Sequence, residues 1–326
     1  MTNETQLLSA LASGMQVKPD FQPQNNKQAY LAYLNGLDIA LPEPRTTEEV
    51  LLYNICLNGG SGKGRSVTLK IRNAAYFFYK GNRLDQKDEL FKVVSGATDM
   101  SYMFASSGLT SLDMSEIDTS NATSMEGIFD DCGSLMELTN FSAVKLPEWT
   151  DFYFPEAERG RCVLRKLTLR TDLPDGEISV KFPIMLVGAP MSRLAMIEFF
   201  ESLPDVSKIE GSKAWATIYI VQTSAVTGNM DVQAGSYDKP IATIEELEYV
   251  INYYCLGEVI CYVTHPNSQE KRIGRGYDAL NRASYGDLLF PILKLRWVDQ
   301  SGIVCDTLTK EDREIAINKG WIIEEG

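Results

Sequence analysis

Ala97-Thr98-Asp99-Met100-Ser101-Tyr102-Met103-Phe104 is echoed by Ala122-Thr123-Ser124-Met125-Glu126-Gly127-Ile128-Phe129, one period of about 25 residues later. Between the copies runs Leu109-Thr110-Ser111-Leu112-Asp113-Met114-Ser115-Glu116-Ile117-Asp118-Thr119-Ser120-Asn121. Leu109, Leu112 and Met114 sit at the short spacing of a strand whose inward side chains alternate with polar ones. Met100, Met103 and Phe104 fall at i, i+3 and i+4, which predicts one face of a short helical turn. Asp118-Thr119-Ser120-Asn121 is turn chemistry, with side-chain oxygens placed to accept from nearby backbone N–H groups. Apolar residues at fixed places in a repeated unit predict a stack in which each unit buries its ladder against the next. The expected ladder is Met100, Met103, Phe104, Leu109, Leu112, Met114, Ile117, Met125, Ile128, Phe129, Leu135 and Leu138. A fainter copy precedes both, with Phe77-Phe78 one period before Met103-Phe104. The pattern degrades after Leu138, into Thr139-Asn140-Phe141.

Strand, polar turn and helical piece are the parts of a leucine-rich-repeat coil. Leu112 through Met125 resembles the BspA-like leucine-rich repeats almost residue by residue, and Phe129-Asp130-Asp131-Cys132-Gly133-Ser134-Leu135 keeps that family's cysteine and its spacing to the next leucine. The earlier copy, Phe104-Ala105-Ser106-Ser107-Gly108-Leu109, is one residue shorter and lacks the cysteine. Met191-Ser192-Arg193 through Ser207 resembles the closing unit of such proteins, whose usual ending here stands far downstream, at Leu308-Thr309-Lys310-Glu311-Asp312 to Trp321. The resemblance therefore implies an α+β chain: a short BspA-like leucine-rich-repeat solenoid over residues 65–221, a small α/β domain inserted at 222–306, and a C-terminal cap helix in 307–326. Within the insertion, Thr243-Ile244-Glu245-Glu246 caps a helix, and Val259–Val263 and Leu293–Val298 read as strands.

Residues 1–64 are a separate segment. One short helix carries Tyr30, Leu31, Tyr33 and Leu34, and a second carries Val50, Leu51, Tyr53 and Ile55 after the Thr46-Thr47-Glu48-Glu49 start. Leu41-Pro42-Glu43-Pro44-Arg45 joins them as a stiff, extended connector, and Asn58–Gly64 follows as a glycine-rich linker. Two such helices cannot build a core alone and require a partner surface or copies of themselves. The Leu41–Ile55 layout resembles the N-terminal anchors of virion structural proteins from tailed phages of gut Bacteroidetes, which implies a non-enzymatic head or tail fibre or decoration protein. Its partners would be other virion proteins through residues 1–64 and a host-surface glycan or protein, with homo-oligomerisation to a trimer or dimer. A bacterial surface adhesin is the alternative reading of the repeats. The N-terminus shows no signal peptide, so the expected location is the virion.

A net charge of −13 argues against nucleic acid and anionic membranes as partners. No catalytic, cofactor-binding or metal residue is expected. Lys63 in the glycine-rich linker is followed by Gly64 where a phosphate loop needs Ser or Thr, and the single histidine, His265, precedes a proline in a turn. Lys271–Arg275 is the most basic short run and reads as a solvated hairpin edge. The six cysteines lack paired spacing and are expected to be free, buried thiols.

Overall fold

The computed structural model describes residues 73–80, 94, 96–148, 153–157, 161–237, 239–264, 270–275, 280–281, 286, 288 and 290–326, together with strands β1 (Ile39–Leu41) and β2 (Val67–Leu69), which pair in parallel. The anchor residues Tyr30, Leu31, Tyr33, Leu34, Val50, Leu51, Tyr53 and Ile55 lie outside the described residues, as does His265.

The two echoed stretches lie side by side and bond to each other along their length. Tyr76 and Phe78 donate their N–H groups to the carbonyls of Ser101 and Met103, at 3.0 and 2.8 Å. One level on, Tyr102 and Phe104 donate to Glu126 and Ile128, at 2.8 and 3.0 Å. The intervening N–H groups close turns within their own level, as Met103 does on the Met100 carbonyl. Tyr102, Ser106, Gly127 and Asp131 all have φ between +54° and +56°, so the chain reverses locally instead of winding. The helical turn expected over Met100–Phe104 is therefore a run of consecutive turns. The i, i+3, i+4 spacing still points Met100, Met103 and Phe104 inward, because each reversal returns the chain to the same side.

The inward face carries a column of phenyl rings. Phe78 stacks on Phe104 with centroids 5.2 Å apart, and Phe104 on Phe129 at 6.1 Å, both within 13° of parallel. All of the ladder residues from Met100 to Leu138 are buried, and each ring removed from water contributes about 1.5–3 kcal/mol. Strand β3 (Ser111–Asp113) pairs in parallel with β4 (Glu137–Phe141). Past the short antiparallel pair β5 (Glu156–Ala157) and β6 (Arg161–Cys162), β7 (Lys166–Leu169) adds a third parallel strand.

The sheets correct the solenoid expectation. The parallel ladder stops at three strands, its register slips between Leu138 and Phe141, and Asn140 has a φ of +54°. The physical cause is where the repeat text ends: without a further matched unit, the next chain segment has no complementary edge to stack on. Among the described residues the chain builds a mixed α/β arrangement of six small sheets, none wider than four strands, with four α-helices and no closed leucine-rich-repeat solenoid.

A second parallel sheet has the order β16–β9–β8, from β8 (Ile184–Met185), β9 (Thr217–Tyr219) and β16 (Ile322–Glu324). Helix α1 (Arg193–Ser202) starts at Ser192, whose side chain accepts from the Ala195 N–H, and buries Ala195, Met196, Phe199 and Phe200. It ends at Leu203 because Pro204 cannot continue it. Between β9 and its partner β16 come the turn helix α2 (Ser224–Thr227), β10 (Asn229–Val232), β11 (Gly235–Tyr237), α3 (Ile244–Tyr253), β12 (Val259–Thr264), β13 (Glu270–Arg275), β14 (Lys294–Trp297) and β15 (Gln300–Val304). These give an antiparallel sheet of order β11–β14–β12–β13 and the pair β10–β15. Helix α4 (Lys310–Asn318) opens on a full capping box between Thr309 and Asp312. Asp312 also takes a two-point ion pair from Arg193 of α1, at 2.6 and 3.0 Å. Lys319 donates to the carbonyls of Phe200, Glu201 and Leu203, which places a cation on the C-terminal end of α1.

Two sulfurs contradict the free-thiol expectation: Cys255 and Cys305 form a disulfide, while Cys132, Cys162 and Cys261 are buried and in no disulfide.

Candidate functional site

The outward face of the stacked turns is built by the same register that makes the core. The positive-φ positions set Tyr76 and Tyr102 one above the other, with ring centroids 5.0 Å apart and planes 12° from parallel. Gly127 continues the row without a side chain, and it has to: a Cβ there would come within 2.4 Å of the Tyr102 ring. The space lets the Tyr102 hydroxyl donate to Glu126 Oε1 at 3.2 Å, and that bond, ahead of the carboxylate's charge, raises the tyrosine's pKa. Tyr79 meets Tyr76 edge-on at 5.6 Å, and Lys80 lies over Tyr79 at 5.1 Å. Further along, Ser106 donates to Asp131 at 3.1 Å, and the exposed Tyr153 borders a recess of about 120 Å³ with Asp130 and Asp131. The result is a rigid strip of aromatic rings and carboxylates.

A larger cavity, of about 540 Å³, opens beside the N-terminal ends of β3, β4 and β7. Thr110, Met136 and Arg165 hold equivalent places just before those strands: Met136 donates its N–H to the Thr110 carbonyl at 2.9 Å, and Arg165 donates to Met136 at 2.7 Å. Gly188, Pro190, Gln222, Ser224 and residues of β10 also line it. Arg165 is 4 % exposed, and its Nη1 has no hydrogen-bond partner. Burial alone depresses its pKa, with no opposing carboxylate contributing. Asp231 also lines the cavity, and its Oδ1 accepts from the Gly302 N–H at 3.1 Å.

A third polar group lies between β4, β7, α1 and α3. Lys166 pairs with Glu198 at 3.3 Å and sits over the Tyr253 ring at 4.8 Å, and Tyr249 donates to Glu198. Glu137, beside them, has its pKa raised, chiefly by burial. These contacts join two layers of the fold and serve packing. A cleft of about 290 Å³ next to Cys255 and Cys305 is lined in part by Ser192, Arg193 and Asn252.

Among the described residues no three His, Cys, Asp or Glu side chains converge to hold a metal, and no helix is long and apolar enough to cross a membrane. The ladder residues named from the sequence all lie in the core, so they hold the tyrosine strip in place from beneath. Lys271–Arg275 falls on β13. Sequence reasoning missed Arg165, whose only signal was an arginine in the place where the two preceding units carry Thr110 and Met136. No family model matches the chain, and no curated protein and no solved structure matches it.

Proposed function

We propose that the protein is a non-enzymatic structural component of a phage particle, a fibre or decoration protein. Residues 1–64 attach it to other virion proteins or to copies of itself, and the remainder faces the host surface. The resemblance of Leu41–Ile55 to phage anchors motivates the first half. The second half rests on the strip of Tyr76, Tyr102, Glu126 and Asp131, held by backbone bonds from level to level. Side chains fixed in this way lose little conformational entropy on binding, and tyrosine presents an apolar face with a polar tip, which suits glycan and protein contacts. Light scattering on the full chain beside a version starting at Arg65 tests the anchor. The expected result is a defined oligomer for the full chain and a folded monomer for the truncation. Monomers in both cases would overturn self-association through residues 1–64.

A further inference from the structure

We infer that the cavity beside β3, β4 and β7 is a binding site for a monoanionic saccharide, with Arg165 holding its carboxylate or sulfate group. Three observations converge on it. First, Arg165 is a permanent cation, 4 % exposed, with a donor atom that no protein group satisfies. A buried charge without a partner is costly, and a ligand oxyanion in the cavity that Arg165 lines supplies the missing countercharge. Second, the space of about 540 Å³ lies within the range of roughly 300–1,000 Å³ that small-molecule sites occupy. Third, the walls carry Thr110, Ser134, Gln222, Ser224, Asn229 and Gln233, a set of hydroxyls and amides suited to sugar hydroxyls.

Charge narrows the class. Arg165 faces a cavity that also contains the carboxylate of Asp231. One cation against one anion favours a singly charged ligand over a doubly charged phosphate monoester. The Asp231 carboxylate is already oriented by the Gly302 N–H and can accept from a ligand hydroxyl. This site is separate from the tyrosine strip and does not depend on where the protein is assembled.

Isothermal titration calorimetry on the full chain, at matched ionic strength, tests it with sodium glucuronate, sodium methyl sulfate and glucose. Saturable one-to-one binding of glucuronate or methyl sulfate, both monoanions, with none for glucose, is the expected result. Glucuronate alone assigns a uronic-type carboxylate, and methyl sulfate alone assigns a sulfated sugar. Arg165→Met should weaken binding at least tenfold while leaving the circular dichroism spectrum unchanged. Should that variant fail to fold, Ser134→Glu places a repelling carboxylate at an exposed position on the rim and should give the same loss. Absence of saturable binding by either anion, or wild-type affinity in a folded Arg165→Met or in Ser134→Glu, overturns the inference.

Discussion

In the described residues of 73–131 each level bonds to the next level along the chain, whereas in residues 229–304 only the β12–β13 hairpin is local and the other pairings reach across the segment: β11 pairs with β14, and β10 with β15. The first region repeats one solution, with the same ring, turn and positive-φ position returning at each level. The second closes a single time, and it adds the covalent link Cys255–Cys305 across a separation of 50 residues. A repeated stack distributes its stability over neighbour contacts, so damage to one level is felt by the levels that touch it. A fold closed by its two ends depends instead on keeping those ends together.

The sharpest way to break the comparison is Phe104→Ala. The ring is fully buried between Phe78 and Phe129, and its loss should cost about 3–5 kcal/mol in urea denaturation. Hydrogen exchange should show residues 74–80 and 124–131 losing protection while α3 keeps its own. Equal loss in α3 would mean that the two regions unfold as one unit. Next in size is Cys255→Ala combined with Cys305→Ala, for which loop closure predicts a cost of about 2–4 kcal/mol, felt first in β10–β15. Mass mapping of unreduced peptides checks the pairing itself.

Arg193→Ala tests the join between the regions flanking the remote segment, at about 1–2 kcal/mol, discounted because Arg193 is partly exposed. The Arg193 hydrogen bond holds the Asp312 carboxyl below its usual pKa. Its stabilising effect is therefore present above the unfolded pKa, about 4, and is lost as pH falls through the folded value. Melting curves from pH 7 to pH 3 should show the gap between wild type and Arg193→Ala closing on the acid side. The smallest effect is expected from Glu137→Gln. Burial raises the Glu137 pKa, so the folded state prefers the protonated form; the cost is absent below the unfolded value and fully present above the folded one. The variant should melt slightly higher than wild type at pH 7, by under about 1 kcal/mol, and equally at pH 3.

Phe104 and Phe129 could be read from the sequence as core partners because periodicity states which residues occupy the same place, and the rings are indeed neighbours. The turns between them could not. Met100, Met103 and Phe104 have the spacing of a helix, and only the destinations of the backbone N–H groups, one level away, distinguish stacked turns from a helical piece. Extrapolating the repeat into a short solenoid over residues 65–221 failed for a related reason: the text ends at Leu138, and the later sheets follow non-local pairings that no local pattern encodes. The pairing of Cys255 with Cys305 and the isolation of Arg165 were equally hidden, since each depends on what the fold brings near or leaves out.

The place where the remote segment leaves and rejoins the body is closed by backbone bonds from the Cys305 N–H to the Gly228 carbonyl at 2.7 Å and from the Leu308 N–H to the Ala225 carbonyl at 2.8 Å, next to the β10–β15 pair. Entry and exit are thus adjacent, and nothing in the body must stretch to hold them. Such a junction behaves as a socket: a longer, shorter or wholly different cassette with equally close ends could be seated there without disturbing β9, β16 or the stacked turns. Variation in what this protein contacts could then accumulate in the cassette, at little cost to the frame that carries it.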